Sequence, residues 1–96
     1  MILRRFFHSV RVPTRIEILS KPNCCLCDQA FFQISRLVDN IKSENPAKNF
    51  ILEKVNIESD PDLNDEYSLT IPVIRVDGAV VSESVVNVPK LRKILQ

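Results

Sequence analysis

At 96 residues, 45% of them apolar and 26% charged, the chain is one small globular domain whose core, burying about two-thirds of the unfolded surface, has little margin. One glycine excludes repeats and Gly-rich phosphate loops, and no apolar run approaches the roughly 18 residues of a membrane-spanning helix, so a soluble chain with no membrane partner is expected. The net charge of +1 divides into four arginines and no acid over residues 1–15, then nine basic against twelve acidic side chains; a folded part at −3 gives no electrostatic reason for nucleic-acid binding.

Residues 1–14 read as a leader, with Arg4, Arg5 and Arg11, no acid, and Leu3, Phe6, Phe7 and Val10 on one face of a helical projection. That is the character of a mitochondrial transit peptide; the plainer alternative is an N-terminal tail. The apolar stretch between Arg5 and Arg11 is too short for a secretory signal, and His8 interrupts it. The expected location is therefore mitochondrial, or cytoplasmic if the leader is only a tail.

Arg15-Ile-Glu-Ile-Leu-Ser20 alternates and is rich in Ile and Leu, which predicts a short strand. Lys21-Pro22-Asn23 interrupts it. From Cys24 a helical pattern runs through Cys27, Ala30, Phe31, Ile34, Leu37, Val38 and Ile41, with Asp28, Gln29, Arg36, Asp39 and Lys42 on the solvated side. Pro46 ends it, because the residue before a proline disfavours the helical region. Phe50–Ile57 is a second strand, and Ser59 or Asp60 caps a short helix that Pro61 starts and that runs to about Tyr67. Ile71–Val76 and Ala79–Ser82 are the third and fourth strands, joined by Asp77-Gly78, a two-residue hairpin signal. Asn87 caps a last helix, Val88–Leu95, with Leu91, Ile94 and Leu95 facing inward. The order β-α-β-α-β-β-α predicts an α/β fold. Its first two strands form a parallel pair, its hairpin adds antiparallel strands, and helices cover both faces of a four-stranded mixed sheet.

The chemistry lies in Cys24-Cys25-Leu26-Cys27, where the first strand gives way to the helix. Three cysteines crowded into four residues are unlike the dispersed disulfide framework of a secreted domain. N–H groups in a first helical turn lack intrahelical partners, and the helix dipole favours negative charge there. A thiolate at that place is stabilised, and its pKa falls below the free value of about 8.5. Cys24 and Cys27, one turn apart, can form a disulfide. Cys24, nearer the open end, is the expected nucleophile; Cys27, on the buried stripe, is the expected resolving thiol. Lys21, three residues before Cys24, is either a cation that lowers the thiol pKa further or a solvated loop lysine.

Other readings of the cysteines are inert packing and structural zinc. Zinc wants four ligands, and the one histidine, His8, lies in the leader, so no metal is expected. Cys25 is expected to point outward, as an incidental replacement of proline, an alternative partner for Cys24 through a strained ring, a site of glutathionylation or an inter-subunit bridge. Thr70-Ile71-Pro72-Val73 sets a proline at the start of an apolar strand, either as a trans proline opening an edge strand or as a cis one.

Together the strand, Lys-x-x-Cys-x-x-Cys, amphipathic helix, second strand, Thr-Ile-Pro, hairpin and terminal helix across residues 15–96 resemble the glutaredoxins, with their thioredoxin-like fold. The resemblance implies that Cys24 attacks a mixed or protein disulfide, that Cys27 resolves it, and that Lys21 matches the family's leading lysine. It also implies that Thr70, Ile71 and a cis Pro72 lie beside the cysteines, with the free backbone of Ile71 offered to an extended peptide or to glutathione. Glutathione is then a co-substrate, with no cofactor bound, and the partner of a monomeric protein is a disulfide-bearing protein or a glutathione mixed disulfide.

Two departures from the family pattern stand out. Cys25-Leu26 replaces the usual Pro-Tyr, and Ser82-Glu83 stand where a glycine pair holds the γ-glutamyl end of glutathione, leaving Ser84 as a hydrogen-bonding group there. The pattern is closest to short eukaryotic glutaredoxin-like proteins that keep C-x-x-C and Ile-Pro-Val without the glycine pair. A thiol–disulfide oxidoreductase is the expected function. The alternatives are an iron–sulfur or metal carrier, and a binding or assembly module that keeps the fold with little turnover.

Overall fold

Alternating isoleucines make the first strand the centre of the sheet. In the computed structural model, which describes residues 12–96, β1 spans Thr14–Ser20, and its Ile16 and Ile18 are fully buried. It pairs in parallel with β2 (Phe50–Asn56) and antiparallel with β3 (Val73–Val76), which pairs antiparallel with β4 (Ala79–Glu83). The strand order is β2-β1-β3-β4. This is the expected thioredoxin-like α/β fold, completed by α1 (Cys25–Glu44), α2 (Pro61–Tyr67) and α3 (Val88–Leu95). Residues 1–11 of the expected leader lie outside the described residues.

Each face of the sheet has its own core. Ile16, Ile18 and Ile74 pack with Ile34, Leu37, Val38 and Ile41 of α1 and with Leu91 and Leu95 of α3. On the other face Leu19, Val73 and Ile57 pack with Leu63 and Tyr67 of α2. Each such side chain taken fully from water contributes roughly 1.5–3 kcal/mol, so the larger cluster dominates the stability. It also clamps α1 along its length. The helix start is thereby fixed at the end of β1.

Local chemistry sets the ends of the elements. Asp60, rather than Ser59, caps α2: its carboxylate accepts from Asp62 N–H at 3.0 Å, while the Ser59 hydroxyl donates to Asn56 C=O at 2.7 Å. Asn87 caps α3 as expected, accepting from Lys90 N–H at 3.1 Å. Asp77 and Gly78, at φ 50° and 88°, make the two-residue hairpin turn, and the Asp77 carboxylate accepts from Arg15 N–H at 2.9 Å.

Three expectations shift. Ile57 leaves the strand for a 3-10 turn (Ile57–Ser59), where it is fully buried under α2. β3 starts at Val73, two residues later than expected, because Pro72 has no N–H to give the ladder. Ile94 is 42% exposed rather than inward; Leu91 and Leu95, four apart, fill the face of α3 toward the sheet, and the helix ends before another turn can cover its flank. Ile18→Ala is therefore expected to cost about 3–4 kcal/mol and Ile94→Ala under about 1 kcal/mol, read from chemical-denaturation midpoints.

Candidate active site

β1 delivers the chain to the start of α1 through Lys21, Pro22 and Asn23. Asn23 takes a left-handed backbone, φ 62°, which asparagine tolerates better than most residues. Cys24 follows as the residue that caps α1, with extended backbone at φ −102° and ψ 104°. Its sulfur accepts a hydrogen bond from Cys27 N–H at 3.2 Å, the place normally taken by a Ser, Thr, Asp or Asn oxygen. The helix therefore begins one residue later than its periodicity suggests, and Cys24 stands at its tip rather than inside it. There the open N–H groups and the dipole of a 20-residue helix favour an anionic sulfur.

Cys24 and Cys27 are joined as a disulfide, with Cα atoms 5.2 Å apart. Their environments differ as expected: Cys24 is half-buried, whereas Cys27 is 1% exposed within the buried stripe of α1. Cys25 is free and exposed.

The two flanks of the helix start differ. On the β3 side, the Ile71–Pro72 peptide is cis and Pro72 is fully buried. Pro72 lines a cavity of about 200 Å³ with Leu26, Ala30, Gln33, Ser84 and Val85. The N–H and C=O of Ile71 make no backbone hydrogen bond among the described residues. Thr70 is turned to internal use: its hydroxyl donates to Tyr67 C=O at 3.4 Å, and its carbonyl accepts from Ser84 N–H at 2.7 Å. On the β2 side, Lys21 lines a second cavity of about 250 Å³ with Asn23, Asp28, Lys54 and Asn56. Lys54 donates to the Asp28 carboxylate at 2.6 Å and lies 5.5 Å from the centre of the Phe31 ring. Lys21 is in no ion pair among the described residues. It faces the Asp28–Lys54 pair, on the opposite flank from Pro72.

Ser84 carries a feature that sequence reading missed. It sits just past β4 at φ 69°, in the left-handed region, and its N–H donates to both Thr70 C=O, at 2.7 Å, and Pro72 C=O, at 2.9 Å. The glycine-like backbone thus falls one position after Ser82-Glu83. A bulge between Ile74 and Arg75, which sets Val80 opposite Arg75 and Ser82 opposite Ile74, offsets any count from the turn. Nearby, partial burial and then the charge of Glu66 raise the Tyr67 hydroxyl above its ordinary pKa, so it stays protonated at neutral pH. Among the described residues no three His, Cys, Asp or Glu side chains converge as a metal site.

The model of the glutaredoxin-like domain (DUF836) matches residues 15–96, which hold all of these features. The chain belongs to this glutaredoxin-like family. No curated protein matches it. Protein XcR50 from X. campestris is similar in structure, at 25% identity and a TM-score of 0.63, covering 83% of this chain and 93% of that one. Protein Ne2328 from Nitrosomonas europaea shares the fold at 16% identity and a TM-score of 0.71, over 91% of this chain and 96% of its own.

In this glutaredoxin-like domain the left-handed Ser84 makes a local prediction. A β-branched residue is strained there and glycine is not. Ser84→Val is expected to be about 1–2 kcal/mol less stable than Ser84→Gly, measured by denaturant unfolding of the oxidised protein.

Proposed function

We propose that this domain is a thiol–disulfide oxidoreductase that works through a Cys24/Cys27 dithiol cycle. The observation that carries the reading is the half-buried Cys24, whose sulfur caps α1, with a buried cysteine one turn behind it. In the reduced protein the Cys24 thiolate attacks one sulfur of a substrate disulfide, forming a Cys24–substrate bond and expelling the other substrate sulfur as thiolate. Cys27 then loses its proton and attacks the Cys24 sulfur. The second substrate thiolate leaves, and the Cys24–Cys27 bond forms. Two electrons pass to the substrate, and an external thiol reductant restores the dithiol.

The free backbone of Ile71 beside Pro72 supports this reading. An extended substrate segment can add there as a short strand, held by main-chain hydrogen bonds that do not depend on its side chains. The Lys21 ammonium on the opposite flank adds positive potential to that of the helix start.

The reading predicts that Cys24 is alkylated with an apparent pKa below the free-thiol value of about 8.5, in reduced protein with Cys25 replaced by serine. In the same background Cys24→Ser is expected to abolish disulfide reduction, and Cys27→Ser to accumulate a one-to-one mixed disulfide visible by mass spectrometry. An alkylation profile centred at the free-thiol value, with no mixed disulfide formed, would sink the proposal.

A further inference from the structure

The surface around the reactive sulfur is divided by charge. Lys21, Asp28 and Lys54 gather on the β2 side, whereas every residue lining the cavity beside Pro72 is uncharged. In that cavity Leu26, Val85 and Val86 supply carbon, and Gln29 and Gln33 supply neutral amides. Leu26 and Val85 are 61% and 70% exposed. Large apolar side chains left in water around a reactive group mark a surface that another molecule covers.

Glutathione is poorly matched to this surface. It carries a carboxylate at each end, and a carboxylate leaves water only when charge-bearing or N–H donors receive it. Lys21 can receive one. The loop after β4, which borders the Pro72 cavity, brings no cation to the other: the cavity leaves it neutral amides only, and the first two N–H groups of the loop are turned inward. Ser84 N–H goes to the Thr70 and Pro72 carbonyls, Val85 N–H goes to Glu83 C=O at 2.8 Å, and the Ser84 hydroxyl goes to Thr70 C=O at 3.3 Å. Glu83, the last residue of β4, is exposed next to that loop and repels an anion.

A polypeptide matches it better. Its backbone meets the unpaired N–H and C=O of Ile71 as an added strand, and its side chains alternate across that strand. An apolar residue beside the substrate cysteine would cover Leu26 and Val85, and no terminal carboxylate has to be placed in the neutral cavity. We infer that the substrate disulfide belongs to a polypeptide cysteine flanked by apolar residues, and that glutathione is selected against; this rests on the oxidoreductase reading of the same site.

The test uses the reduced full-length protein and three mixed disulfides of 5-thio-2-nitrobenzoate: with a hexapeptide whose cysteine is flanked by leucine and valine, with the same peptide flanked by glutamates, and with glutathione. Attack at the peptide or glutathione sulfur releases the chromophore, so its absorbance gives each second-order rate. The apolar peptide is expected to react about tenfold faster than glutathione, with the glutamate peptide close to glutathione. Leu26→Ser combined with Val85→Ser, both exposed and outside the core, is expected to cut that advantage to about twofold. Glutathione reacting as fast as the apolar peptide, or an advantage untouched by the double substitution, overturns the inference and leaves the oxidoreductase reading standing. Rates for all three no greater than those of free N-acetylcysteine overturn both.

Discussion

The hydrogen bond from Cys27 N–H to the Cys24 sulfur is the contact on which the site depends. It makes one atom serve two purposes. As a cap, the sulfur satisfies an N–H that α1 cannot satisfy itself, a contribution of about 0.5–2 kcal/mol when an oxygen plays that part. As a thiolate, the same sulfur would lie where the helix best tolerates negative charge. The two purposes agree because both ask for an electron-rich atom at the helix tip. Everything else holds that tip in place: the buried Ile16 and Ile18 of β1 beneath it, Asn23 turning the chain toward it, and the stripe from Cys27 to Ile41 anchoring the helix behind it.

The sheet order explains why the two flanks of the site differ. β1 lies between β2 and β3, so the cysteines at its end look over the ends of both neighbours. β2 contributes Lys54, which ties Asp28 of α1 back to the sheet and makes that flank ionic. β3 contributes Pro72, and β4 brings Ser84 back to the Thr70 and Pro72 carbonyls, which closes a neutral flank on itself. The sulfur therefore has charged groups on one side and neutral ones on the other.

Much of the architecture was legible in the chain because its signals are local. Period-two isoleucines mark β1, seven apolar positions at helical spacing mark α1, and Asp77-Gly78 marks the hairpin. Cys24, Cys27 and Pro72 stand out by residue type alone, and the fold places them at one end of the sheet. What could not be read depends on neighbours distant in sequence. The bulge opposite Ile74 and Arg75 is a property of two paired strands, and it offsets Ser84, with its left-handed backbone, from any count along the chain. Lys21 facing Lys54, and the internal use of the donors around Ser84, follow from tertiary contacts that no spacing announces. Ile94 has the right residue type and period, yet it is exposed because the helix ends one residue later. Of the left-handed positions, Asn23, Asp77 and Gly78 carried a signal, being residue types that tolerate that conformation, and Ser84 carried none.

Those left-handed positions have a consequence for folding entropy. Among the described residues four adopt positive φ, and of these Gly78 is the glycine; Asn23, Asp77 and Ser84 hold the conformation against the preference of their own Cβ atoms. Each non-glycine gives up some energy in the folded state but restricts the disordered chain, which then has fewer conformations to surrender on folding. For a domain of 96 residues, with a modest core, a stiff unfolded ensemble is a source of stability that no contact in the native structure records.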